Sequence, residues 1–300
     1  MQNPAPIALF VYKRIENTKQ LIESLLKNDL AKDSDIFIFS DSAKNEKDYK
    51  EVEKVRGYLR QISRFKKIEI INRKKNLGLA NSIISGASEV VKLYGKVIVL
   101  EDDLILSPYF LEYMNKGLVM YENVEEVISI HGYIYPLNKL LPETFFLKGA
   151  DCWGWATWKR GWDLFEHDTR KLLNEIYNRN LENEFDLNGA VNNMKMLKKQ
   201  VKGEIDSWAI RWHASAFLKN KYTLYPERSL VQNSGMGKHS THTKRTNVYD
   251  VELSSTPISV EKIEVKENEF VKKEIEKYFK SIKMNYLQKL IFLLKNRFNR

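Results

Sequence analysis

The sequence predicts an α/β fold with a mostly parallel sheet. Three features carry that reading. Short apolar runs alternate with amphipathic stretches through the first hundred residues. The spacing suits βαβ units. Polar residues cluster directly after each apolar run. Residues 7–11 form the first strand, followed by a helix over 17–26 with Leu21, Ile22, Leu25 and Leu26 on one face. A second strand over 35–39 ends in Ser40-Asp41, and a charged amphipathic helix covers 47–62. A third strand spans 68–71, Asn76-Leu77-Gly78 opens a helix running to Leu93, and a fourth strand spans 96–100.

The fourth strand stops at three consecutive acids, Glu101, Asp102 and Asp103. Carboxylates held together at a strand end repel one another unless a cation lies between them. A divalent metal carrying a nucleotide diphosphate satisfies that need, since hard cations take oxygen ligands and bridge phosphates. The plainer reading is a solvated acidic turn capping the next helix through its dipole. That helix is expected to start at Ser107 as N-cap with Pro108 in its first position. Arg14, Asp41 and Asn76 also fall just after predicted strands. In parallel sheets ligands bind beyond the strands' carboxyl ends, so four polar groups converge on one edge. Singly, Asp41 also reads as a turn cap and Arg14 as a surface charge.

The second half is less regular. Strands are expected over 128–131, 145–147 and 222–224, and helices over 187–201 and 206–219. Four tryptophans, Trp153, Trp155, Trp158 and Trp162, fall close together. Trp158 and Trp162 are four apart, the spacing of helical core packing, whereas Trp153 or Trp155 is expected to border a sugar face. Asp206 opens a helix, where an aspartate caps the backbone and is favoured in its ionised form. Facing a site, it would also serve as a general base, with Glu204 as the fallback. His239 and His242 lie in a glycine-bearing loop over 233–243, and residues 248–268 read as a linker. Domain organisation is expected as 1–247, split into a nucleotide-sugar half (1–125) and an acceptor half (126–247), followed by a tail over 248–300.

The formal charge is +10, of which seven bases and no acid lie in 277–300. The first 276 residues thus carry only +3, which argues against a nucleic-acid partner. Leu287, Leu290, Ile291, Leu294 and Phe298 recur at helical spacing, giving a basic amphipathic helix suited to an anionic membrane surface or to a second protein face. The single cysteine, Cys152, fits a reducing compartment and is expected to be buried and inert. No secretory signal or spanning segment is recognised, so a cytoplasmic location on the inner face of the cell membrane is expected.

Residues 97–114 resemble the metal-binding strand-turn-helix of GT-A glycosyltransferases, most closely the N-acetylglucosaminyltransferase I type. In that type Glu-Asp-Asp-Leu replaces the commoner Asp-X-Asp. Tyr12-Lys13-Arg14, Phe39-Ser40-Asp41, Trp153-Gly154-Trp155, Asp206-Ser207-Trp208 and the loop with Gly237 and His239 extend the similarity over about residues 5–243. Asn76-Leu77-Gly78, with Asn81, resembles family 2 enzymes, as do Arg211 and Trp212. The resemblance implies a GT-A Rossmann-like sandwich with the basic helix appended. It implies Asp103 as direct ligand of Mn²⁺ or Mg²⁺, Asp102 toward the ribose, and Glu101, Asp41 and Arg14 at the nucleotide. Asn76 and Arg211 would bind the donor or its diphosphate, Asp206 would act as base, and His239 would add a metal contact. The implied reaction is inverting transfer from a UDP-sugar, UDP-N-acetylglucosamine or a related hexose, to a hydroxyl of a glycan or lipid-linked glycan in bacterial surface polysaccharide synthesis. The alternatives are a sugar nucleotidyltransferase, disfavoured because residues 11–17 lack a glycine-rich loop, and an inactive sugar-binding scaffold.

Overall fold

A computed structural model describes residues 4–235 and 248–298, with 285–298 as backbone alone. The strands are β1 (Ile7–Val11), β2 (Asp35–Ser40), β3 (Lys67–Asn72), β4 (Lys96–Glu101), β5 (Leu104–Leu106), β6 (Val127–His131), β7 (Thr144–Lys148), β8 (Trp155–Trp158), β9 (Tyr222–Pro226) and β10 (Val231–Asn233). The helices are α1 (Ile15–Leu25), α2 (Glu46–Leu59), α3 (Leu79–Tyr94), α4 (Phe110–Met120), α5 (Lys159–Trp162), α6 (Thr169–Asn178), α7 (Glu182–Phe185), α8 (Asn193–Val201), α9 (Trp208–Leu218) and α10 (Glu269–Phe298).

Eight strands form one sheet in the order β3-β2-β1-β4-β8-β6-β9-β7. Only β8 and β7 run against the rest, so the sheet is mostly parallel, as the alternating pattern predicts. Helices cover both faces. Ile7, Leu9 and Val11 of β1 join a core with Leu21, Ile22, Val55 and Leu59, while Ala8 and Phe10 face Ile83, Ala87 and Val90 of α3 on the other side. A strand buried on both faces reads as a continuous apolar run, which is why β1 and β4 stand out in the sequence. β5 and β10 make a small separate antiparallel pair beside the acids.

Several expectations are corrected. The helix after the acids starts at Phe110 rather than Pro108. Ser107 makes a turn instead, its carbonyl accepting from Phe110 N–H. The helix expected over 187–201 begins only at Asn193, because Leu187 and Asn188 adopt φ of 48° and 53° and break it. Its first turn takes its cap from Asp186, whose carboxylate accepts from Met194 N–H. Trp158 ends β8 and only Trp162 is helical, so their spacing does not mark one helix.

Residues 248–268 are not a free linker. Ile258 and Val260 are buried in the main core, Ser254 N–H donates to Ser229 O, and Tyr121 Oη donates to Glu261 O. Without period, the segment gives no helical or strand signal, yet its alternate apolar residues seal the sheet's flank. α10 continues from it and buries Val271 and Ile275 against Phe145 and Tyr225. The sheet also runs unbroken across the expected 125/126 division, so the two halves share one scaffold.

Candidate functional site

β1, β2, β3 and β4 deliver their carboxyl ends to one edge, and a cavity of about 800 Å³ opens there. Arg14, Asp41, Asn76, Glu101 and Asp102 all line it, together with Gly78 and Ser82 at the start of α3. A cavity this size accommodates a nucleotide-sized ligand.

The acids sit around one cation. Arg14 pairs with Asp102 through Nη2, while Nη1 lies 3.3 Å from Asp103 Oδ2. Tyr12 N–H also donates to Asp102 Oδ2 at 3.3 Å. Burial opposes the Arg14 charge, but Asp102 and Asp103 outweigh it and raise its pKa. Burial, followed by the repulsion of Asp103 and Asp102, lifts Glu101 well above the usual carboxylate range. Asp102 is pushed up to about 6, by burial first, with Arg14 pulling it back and Asp103 adding to the rise. One guanidinium therefore leaves the three carboxylates under-compensated. Oxygen donors in this state suit a hard divalent cation. Among the described residues no three His, Cys, Asp or Glu side chains are set as a complete metal cage. A metal at Asp103 would need oxygens from its ligand.

Asp41 takes the plainer of its two roles. Its Oδ1 accepts from Ser42 N–H and Leu77 N–H, both at 2.9 Å, and its Oδ2 accepts from Gly78 N–H and Asn76 Nδ2. Asn76 Nδ2 also donates to Ser42 O at 2.7 Å. The carboxylate thus satisfies the amides that open α3 and fixes the cavity's far wall. It shapes the cavity, and its oxygens are engaged by these donors.

Residues 231–235, of which 233–235 begin the expected glycine-bearing loop, close over Asp103. Ser234 N–H and Oγ both donate to Asp103 O, at 2.7 and 2.9 Å, and Asn17 Nδ2 donates to Ser234 Oγ. A Cβ on Gly235 would stand 2.6 Å from Asp103 Oδ2, so a larger residue there would displace the Asp103 carboxylate. The only sequence signal was Gly235 itself. His239 and His242 follow this segment but lie outside the described residues.

Trp155 cannot border a sugar. It is fully buried in β8, its ring within 5.4 Å of the Trp162 and Trp208 rings. Trp153 is half-buried at the same edge, where its N–H donates to His131 Nε2 and its ring meets Tyr133 and Tyr249. Asp206 lies just before α9. The N-cap is Ser207, whose Oγ accepts from Ile210 N–H, which corrects the expected cap. Asp206 is half-exposed and accepts from Arg211 Nη2 at 2.9 Å. Arg211 is otherwise buried against Ser207 O and the Phe165 ring, so it is engaged away from the donor cavity. Glu204 is exposed in the preceding turn.

With this geometry in place, the comparison with known families becomes informative. Residues 7–135 match glycosyl transferase family 2. That stretch is a glycosyltransferase domain. It contains β1 to β4, the acids and every predicted residue lining the donor cavity. The sheet order and the helices on both faces are those of the GT-A fold. No functionally curated protein matches the sequence. Among solved structures, the chain is similar to the mannosyltransferase PcManGT from Pyrobaculum calidifontis, solved in complex with GDP-Man and Mn²⁺. That likeness has 11% identity, 44% of this chain, 36% of that chain and a TM-score of 0.32. S. aureus TarS is similar at 13% identity, 48% of this chain, 24% of that chain and a TM-score of 0.31. Its 1–349 form gives 11%, 49%, 41% and 0.30. The chain thus matches at most 41% of the length of these proteins.

Proposed function

We propose that the chain transfers one sugar, with inversion, from a UDP-sugar to a hydroxyl of a glycan or lipid-linked glycan during assembly of a bacterial surface polysaccharide. The observation that carries this reading is the Arg14–Asp102–Asp103 cluster at the end of β4, beside a nucleotide-sized cavity. UDP-N-acetylglucosamine or a related hexose is preferred from the Glu101-Asp102-Asp103-Leu104 motif and its resemblance to the N-acetylglucosaminyltransferase I type. The work is placed on the cytoplasmic face of the membrane, with 277–300 as the contact.

The acids fit Mn²⁺ or Mg²⁺, held by Asp103 and completed by the donor's phosphate oxygens, with His239 as a further contact. When bound, such an ion offsets the negative charge that gathers on the departing UDP. Arg14, already facing both aspartates, is within reach of the same phosphates. Asp41 holds the Asn76–Gly78 turn in place and so keeps the nucleotide wall formed before the donor arrives. Asp206 takes the proton from the attacking hydroxyl, since an inverting transfer needs one carboxylate on the acceptor side. Its place before α9 supports this. α9 ends next to Tyr222 at the far edge of β9, so its first residues lie at the acid-bearing edge. Ser234 and Gly235 themselves close over Asp103 and shield its backbone carbonyl from water.

The test is calorimetric titration of UDP with and without Mn²⁺, paired with turnover of a panel of UDP-sugars. Asp103→Asn should abolish metal-dependent UDP binding. Asp206→Asn should bind UDP normally and transfer sugar about a hundredfold more slowly. UDP binding indifferent to a chelator in the wild type would overturn the proposal.

A further inference from the structure

A second cavity, about 270 Å³, lies between the β7–β9 end of the sheet, α9 and α10. Its wall is aromatic and polar at once: Tyr135, Tyr225, Phe217 and Phe279 present rings, with Asp151 and His213 between them. The charges of its wall are largely matched. Lys148 Nζ pairs with Glu184 at 2.8 Å and Lys272 Nζ with Glu267 at 2.5 Å, so neither lysine is left for an anion. Burial lowers the pKa of His213, and the ring's Nδ1 lies 2.8 Å from Ala150 O. Gly149 makes that contact possible. Its φ is 95°, and a Cβ there would stand 2.5 Å from His213 Cε1. Asp151 accepts from Cys152 N–H through Oδ1 and belongs to the cavity wall.

The cavity also adjoins the chemistry. β8 pairs with β4 so that Val99 faces Trp155, which brings the residues before Trp155 toward the acid-bearing end of β4. Cys152, next to Asp151, lies in the field of both Asp151 and Glu101.

We infer that this second cavity is a saccharide subsite: it receives a neutral sugar ring against its aromatic walls, and Asp151 accepts a hydrogen bond from one of its hydroxyls. A pyranose has apolar faces and a hydroxyl rim, which match rings and a carboxylate better than a phosphate or a plain lipid chain would. Drug-sized ligands fill roughly 300–1,000 Å³, so this space suits one or two rings. α10 supplies one wall through Ile275 and Phe279, so residues beyond the family 2 match would help choose the sugar. That the ring belongs to the acceptor rests on the transferase reading; that a neutral sugar binds there does not.

Saturation-transfer NMR on the full chain tests this, with the methyl glycosides of glucose, galactose, mannose and N-acetylglucosamine as probes, and inorganic phosphate and farnesol for comparison. At least one glycoside should receive saturation. Asp151→Asn should weaken it about tenfold, the loss expected for one charge-assisted hydrogen bond. Met196→Trp, which fills the mouth from the half-exposed rim of α8, should abolish it while UDP binding with Mn²⁺ stays unchanged. Saturation of no glycoside, binding that survives both substitutions, or binding of farnesol or phosphate alone would each overturn the subsite. If glycosides bind as expected but the wild type fails to take UDP with Mn²⁺, the transferase reading falls and the subsite stands.

Discussion

Among the described residues, Arg14 is the side chain that pairs with both Asp102 and Asp103 at the end of β4. Asp102 is buried and Asp103 nearly so, and removing one partner of such a pair leaves charge without compensation. Arg14→Gln should therefore lower the melting temperature of the metal-free protein, and Mn²⁺ should restore more of it than it adds to the wild type. A ligand that binds only the folded state raises the melting point. Equal Mn²⁺ shifts in both proteins, read by differential scanning fluorimetry, would show that Arg14 and the metal do not share the acids. Several site residues were legible because each follows directly on an apolar run: Arg14 after β1, Asp41 after β2, the acids at the end of β4. Ser234, Gly235 and Asn17 were not. Ser234 meets Asp103 O, and Asn17 meets Ser234, only because β10 pairs with β5 across more than a hundred residues, and no local pattern records that. Asp41 was placed correctly but given too much: its carboxylate serves the α3 amides first.

At the scale of elements, the parallel half of the sheet was readable because doubly buried strands are continuous apolar runs bounded by polar turns. The antiparallel strands were harder. β8 is not read as a strand, because its tryptophans divide between a sugar border, Trp153 or Trp155, and a helically spaced core pair, Trp158 and Trp162. Its alternation instead sends Trp155 into a cluster with Trp162, Trp208 and Trp212. That cluster ties β8 to α9 and so sets where Asp206 stands. Trp155→Ala should cost about 3–5 kcal/mol by urea denaturation, the range for deleting a fully buried large aromatic. A loss below about 1 kcal/mol would mean that the cluster is loosely packed. α10 was legible as a helix, but its start was not. The expected amphipathic stretch is only its later part, and the first turns bury Val271 and Ile275 on the body.

Over the whole molecule, residues 251–283 pack on the scaffold instead of trailing from it, and this changes how the basic tail is counted. Lys277 and Lys280 are paired with Glu274 and Glu276, and Lys283 donates to Gly189 O. The other four bases of that segment, Lys289, Lys295, Arg297 and Arg300, lie beyond the residues whose side chains are described. Each basic residue near such a surface is worth about 1 kcal/mol. Changing these four to Gln should remove co-sedimentation of the full chain with phosphatidylserine vesicles, while changing Lys277 and Lys280 should leave it intact; no co-sedimentation of the wild type would end the membrane assignment. No helix among the described residues is long and apolar enough to cross a membrane, so contact through α10 would lie on the surface.

The fold also holds two histidines, His131 and His213, whose charge it opposes. Burial lowers the pKa of both His131 and His213 from the ordinary value of 6.5, against the weaker pull of Asp151. In the unfolded chain each binds a proton as pH drops through 6.5; in the folded chain each stays neutral to lower pH. The unfolded state then holds more protons, so their contribution is complete above pH 6.5 and is lost as pH falls below it. Glu101 and Asp102 act in the opposite sense, because their raised values let the folded state take protons first. The net slope of the wild type mixes the two, so the histidine part is isolated by comparison with His213→Gln. The stability difference between wild type and variant, measured by urea unfolding, should shrink steadily from pH 7.5 to 5.5, since the carboxyls contribute equally to both. A difference that stays constant or grows over that range would mean that His213 is already charged in the folded protein, and the neutral wall of the second cavity would have to be redrawn.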